Sequence, residues 1–185
     1  MIYRLCSAIV SICGVVLFGA SVDAAYAQDD PANTAAASCT GSVYGEFDFW
    51  LGTWEVTDTE GVFQGRNTIT REEQGCLVLE RWTSAGGGTG QSYNYVDPAS
   101  GAWRQVWVSS AANIDYVGGR TTSGGMRLEG EITYRSGDIL PFTGEWTPRA
   151  DGTVLQSFRQ FNPEIGGWED WFTGIYTRAE DDTDN

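Results

Sequence analysis

The sequence predicts an all-β fold, a single closed up-and-down β-barrel of about ten strands, with a β-sandwich as the alternative. Three observations carry the prediction. Short segments alternate apolar and polar residues, the period of a strand with one face buried. Turns rich in Gly, Asp and Pro separate them, and no segment has the spacing of a convincing amphipathic helix. Glycine, at 24 residues, is matched by 8 each of Trp, Tyr and Phe, which suits aromatic strands joined by tight turns. Sequential hairpins favour a barrel over a sandwich because closure removes exposed strand edges.

The barrel domain is expected over residues 46–178, after a leader at 1–27 and a flexible, Ala- and Asp-rich segment at 28–45. An acidic tail at 179–185 follows it. The domain opens on EFDFWLGTWEVTD at 46–58. Phe47, Phe49 and Trp50 form an aromatic run too short for a stable helix alone, so one tight helical turn is expected there. Gly52 then permits a sharp change of direction into a first strand, where Trp54 and Val56 alternate with Glu55 and Thr57. A second strand spans 62–73, with Gly65 as a candidate bulge, and Gln74-Gly75 turn the chain into a third at 76–84. The AGGGTG run at 85–90 is a flexible loop; it lacks the Lys-hydroxyl pair of a phosphate loop. Strands at 91–97 and 102–109 flank the turn Asp97-Pro98-Ala99-Ser100-Gly101, and the second carries Trp103, Gln105 and Trp107 on one face. A short strand at 114–120 precedes 126–135, where Met126, Leu128, Ile132 and Tyr134 face one side and Arg127, Glu129, Glu131 and Arg135 the other. Strands at 139–147, 153–162 and 168–178 complete the set.

The string Phe49-Trp50-Leu51-Gly52-Thr53-Trp54 resembles the first signature of the lipocalins and related calycins. The longer FDFWLGTWEV, with GCLVLERW, SYNYVDPASGAWRQVWV and FTGIYTR downstream, is similar to an uncharacterised family of secreted bacterial proteins. The resemblance covers residues 46–178. It implies a calycin barrel in which Trp54 sits at the base and Arg178, ending the last strand, packs across its ring as a cation–π cover. Gly52, Trp54 and Arg178 are accordingly assigned to structure.

Residues 1–27 read as a secretory signal peptide: Arg4 supplies the positive region, 5–19 the apolar core, and Ala25-Tyr26-Ala27 a small-x-small cleavage site. The apolar run falls short of the ~20 residues of a spanning helix, so a periplasmic or secreted product without membrane attachment is expected. The net charge is −14, and the leader's Arg4 and Asp23 cancel, so its removal leaves that charge unchanged. Such an acidic chain repels nucleic-acid phosphates, which speaks against a nucleic-acid partner. Beyond the leader's Cys6 and Cys13, two cysteines remain, Cys39 and Cys76. An oxidising compartment favours a bridge between them over two free thiols, and a metal site lacks the further Cys or His it would need.

The chain contains neither His nor Lys. This excludes His-dependent triads, Lys Schiff bases and His-ligated zinc or haem supplied by its own side chains, and no metal or cofactor is expected. Polar residues set on apolar strand faces are the next signal. Glu80 shares a face with Cys76, Val78 and Trp82; Gln105 lies between Trp103 and Trp107; Gln156 and Gln160 flank Phe158; Asp170 lies between Trp168 and Phe172. Faces of this kind, turned into a barrel, form an aromatic cavity with scattered amides and carboxylates, the usual make-up of a small-molecule site. Tyr93 and Tyr95, sharing a face, add hydroxyls on apolar bodies. The candidate ligand-binding residues are therefore Glu80, Trp82, Tyr93, Tyr95, Gln105, Trp107, Gln156, Phe158 and Asp170. Three functions compete. The first is a barrel binding a small apolar or aromatic molecule. The second is lumenal acid–base chemistry of the isomerase, cyclase or hydratase kind, with Glu80 or Asp170 and a tyrosine as the catalytic candidates. The third is carbohydrate binding on Trp103 and Trp107.

Overall fold

Each alternating segment can bury only one of its two faces, and ten of them in sequence bury those faces together by curling into a closed sheet. The computed structural model describes residues 39–179; the expected leader, residues 28–38 and the tail from 180 onward lie outside them. The strands are β1 (Gly52–Thr57), β2 (Phe63–Glu72), β3 (Leu77–Ser84), β4 (Thr89–Val96), β5 (Trp103–Ser109), β6 (Ala112–Arg120), β7 (Met126–Tyr134), β8 (Ile139–Pro148), β9 (Val154–Asn162) and β10 (Gly167–Arg178). Each pairs antiparallel with the next, and β1 closes on β10 with Trp54 opposite Arg178. The architecture is thus the all-β, closed, ten-stranded up-and-down barrel expected from the alternation, not the sandwich.

One end is plugged by the aromatic lead-in. Asp48–Trp50 forms the expected short 3-10 turn, and Phe47 and Trp50 are fully buried with stacked rings 4.8 Å apart. Their neighbours are Trp103 and Trp146, 5.7 and 5.3 Å from Phe47 between ring centroids. Trp54 donates its indole N–H to the Trp50 carbonyl at 2.8 Å. Arg178 lies over the Trp54 ring at 3.9 Å and donates to the Leu51 carbonyl, closing the seam between first and last strands. Gly52 has a φ of +125°, and a Cβ there would stand 1.9 Å from the Arg178 guanidinium, so glycine is required on both counts.

The segment just before the barrel is held against this base. Ser42–Gly45 forms a second 3-10 turn, Val43 and Tyr44 pack against the core, and Arg71 donates to the Tyr44 carbonyl at 3.0 Å. Cys39 and Cys76 are disulfide-bonded. Residues 39–45, placed by sequence in the flexible segment, therefore adopt defined structure around that bridge.

Two bulges adjust the barrel. In β2, Val56 faces Gly65 and Thr57 faces Phe63, so the extra residue is Gln64, beside the expected Gly65. In β10, Asp170 faces Arg159 while Phe172 faces Phe158, leaving Trp171 as the extra residue. No helix among the described residues is long and apolar enough to cross a membrane.

Candidate functional site

Because β1 starts at the plugged base, the connections β1–β2, β3–β4, β5–β6, β7–β8 and β9–β10 all lie at the opposite, open end. Toward that end the barrel encloses a cavity of about 260 Å³, just below the ~300–1,000 Å³ usual for small-molecule pockets. Its walls come from six strands, the first five being β2 with Gln64, β3 with Glu80, Trp82 and Ser84, β5 with Gln105 and Trp107, β6 with Ile114 and Tyr116, and β9 with Gln156 and Phe158. The sixth strand, β10, adds Trp171, Phe172 and Tyr176.

Room for the large rings is made by glycines on facing strands. A Cβ at Gly90 would lie 2.2 Å from the Trp107 indole, so that ring rests directly on the β4 backbone. The inward residues of β4 are Gly90, Ser92, Asn94 and, nearest the base, Val96, all buried. Gly90 leaves room for the Trp107 ring, as Gly65 of β2 does for the Trp82 ring, while Ser92 and Asn94 are polar because they join a buried hydrogen-bonded network.

A continuous hydrogen-bonded network crosses the cavity floor. Glu80 accepts from Asn67 Nδ2 and from the Ser92 hydroxyl, both at 2.6 Å. Asn94 donates to Ser92 Oγ and to the Val78 carbonyl, each at 2.9 Å. Gln105 Nε2 donates to Asn94 Oδ1, and the Tyr116 hydroxyl donates to Gln105 Oε1. On the other side Asn67 Nδ2 donates to the Tyr176 hydroxyl at 3.2 Å, which in turn donates to Gln156 Oε1 at 2.8 Å. Removal from water raises the Glu80 carboxyl to about 7, although the bonds from Ser92 and Asn67 oppose this. Burial, with the nearby Glu80, pushes the Tyr116 and Tyr176 phenols well above their ordinary range, so both stay neutral. Arg66, Arg104, Arg127 and Arg159 pair with carboxylates on the outer wall, and among the described residues no arginine lines the cavity.

Of the residues singled out by sequence, Glu80, Trp82, Gln105, Trp107, Gln156 and Phe158 are brought together on the cavity wall. Three are not. Tyr93, 45% exposed, pairs across the outer face with Leu79 and Val106, and Tyr95 lies on the same outer face opposite Leu77 and Arg104. Asn94, between them, is the residue that points inward. Asp170 is also outside: the Trp171 bulge reverses the in–out phase of β10, and Asp170 pairs with Arg159 at 3.2 Å on the surface. The Trp103–Trp107 face is the inner one; Trp103 is buried in the base, so the pair forms no exposed sugar platform.

Sequence reasoning missed Asn67, Ser92, Asn94, Tyr116 and Tyr176. Register offers the signal for Ser92 and Asn94: counting back across the β3–β4 hairpin sets Glu80 opposite Ser92 and Val78 opposite Asn94. Tyr116 and Tyr176 lie on alternating faces but carried no polar mark beyond a phenol. Among the described residues no group of three or more His, Cys, Asp or Glu could hold a metal ion. Comparison with protein-family models and with curated proteins finds no match to this chain.

Proposed function

We propose that this chain is an exported, lipocalin-like barrel that binds a small apolar or aromatic molecule in its lumen. One observation carries the reading: an aromatic-walled cavity at the open end of the barrel stands on a buried polar network that brings Glu80, Gln105, Tyr116, Gln156 and Tyr176 to its lining. Apolar walls supply burial, and the polar floor supplies orientation. The leader pattern, the Cys39–Cys76 bridge and the calycin-type opening support export and the family assignment. The test is native mass spectrometry of the protein purified from the exported fraction of its source, beside a Ser84→Trp variant that fills the mouth. A discrete added mass in the unmodified protein, absent from the variant, is expected. Equal masses bound to both proteins, or none to either, would overturn the reading.

Acid–base catalysis in the same lumen is the second reading, and Glu80 is the observation that favours it. A carboxyl near 7 inside a hydrogen-bonded network exchanges protons at neutral pH. Recovery of the bound molecule unchanged after prolonged incubation, with no isomer or product, would remove this reading.

A further inference from the structure

Resting on the lumen-binding reading, we propose that the occupant is an organic monocation: an amine with an aromatic or apolar body, its ammonium held by Glu80 among the surrounding rings. The cavity's charge inventory points to it. Among the described residues Glu80 is the one acidic side chain in the lining, and no arginine joins it there. The strands on either side, β2 and β4, turn Asn67 and Ser92 toward its carboxylate and no charged group. The only other titratable side chains in the lining are Tyr116 and Tyr176, both buried and neutral. An anionic ligand would meet Glu80 with no counter-charge. A cation supplies the missing charge.

The walls and the hydrogen-bond balance agree with this. Trp82, Trp107, Phe158 and Trp171 line the same cavity as Glu80, and aromatic faces attract cations, most strongly when water is excluded. The floor has acceptors to spare. Each Glu80 oxygen takes one protein donor and keeps capacity for more. An ammonium brings donors and no acceptor. Its arrival favours ionised Glu80, so binding releases a proton wherever that carboxyl is still protonated in the free protein.

The experiment is isothermal titration calorimetry with three probes that share an indole-ethyl frame: tryptamine, the neutral alcohol tryptophol, and the anion indole-3-propionate. Tryptamine should bind at least about tenfold tighter than tryptophol at about pH 8.5, and indole-3-propionate most weakly of the three. The preference for tryptamine should shrink at least about tenfold on going down to about pH 5.5, where Glu80 is protonated and tryptamine keeps its charge. Glu80→Gln should erase the preference; the pH series on the unmodified protein gives the same information if that variant folds poorly. If tryptophol binds as tightly as tryptamine and Ser84→Trp abolishes both, the amine assignment fails and the lumen reading stands. Binding of none of the three overturns the amine assignment, while a co-purifying molecule of another class would still uphold the lumen reading.

Discussion

Glu80→Gln turns the buried carboxyl into a measurable pH dependence of stability. The substitution keeps side-chain size and removes the titrating group. Glu80 has an ordinary value of 4.5 and is raised to about 7 in the folded barrel. The folded state therefore holds a proton that the unfolded state releases between those values, and stability must fall as pH rises through that window. The contribution is fully present below about pH 4.5 and lost above about pH 7. At about 1.4 kcal/mol for each tenfold change in proton affinity, the loss is about 3 kcal/mol. Urea denaturation followed by tryptophan fluorescence, with the disulfide intact, gives the free energy of each protein from about pH 4 to about pH 8.5. Surface carboxylates titrate in both proteins, so their contributions cancel in the difference between them. That difference should move against the unmodified protein by about 3 kcal/mol across the window and be flat on either side. A difference independent of pH would refute the argument, and so would one that moves the other way.

Four further outcomes follow from the same structure. Arg178→Ala should lower stability by about 1–2 kcal/mol, because it removes both the cation–π contact with Trp54 and the hydrogen bond to the Leu51 carbonyl; an unchanged Tm would count against the seam role. Converting both Cys39 and Cys76 to Ser opens a bridge spanning 37 positions and should cost roughly 3–4 kcal/mol in urea denaturation, with no loss expected if the bridge is absent from the native protein. Gly90→Ala puts a methyl 2.2 Å from the Trp107 ring and should destabilise by about 1–3 kcal/mol while altering the near-ultraviolet circular dichroism of that tryptophan; retention of both signals would show that the ring does not rest there. Asp170→Asn, an exposed change on the outer wall, should shift stability by less than about 0.5 kcal/mol and leave lumenal binding intact, and any larger effect on binding would restore Asp170 as a site residue.

Much of this protein is written in its sequence. The ten strands follow from alternation that any single face-burying strand must show, and the plugged base follows from Phe47, Trp50 and Gly52, whose sizes and backbone freedom suit little else. The pairing of Trp54 with Arg178 was likewise available from the resemblance, and the Cys39–Cys76 bridge from the two cysteines beyond the expected leader. What alternation cannot supply is phase. A slip of one residue exchanges the faces of a strand, and only its neighbours decide which face goes inward. On β4 the aromatic face, Tyr93 and Tyr95, suggested the interior, yet the Trp107 ring of the flanking β5 takes the space over Gly90, and Ser92 and Asn94 turn inward to complete the network around Glu80. On β10 the Trp171 bulge shifted the phase midway, sending Asp170 out and keeping Phe172 and Tyr176 in. The network joining Glu80 to Tyr116 and Tyr176 spans strands far apart in the chain. Closure of the barrel, which brings those strands face to face, is what gives Glu80 its isolation from water and hence its proton near neutral pH.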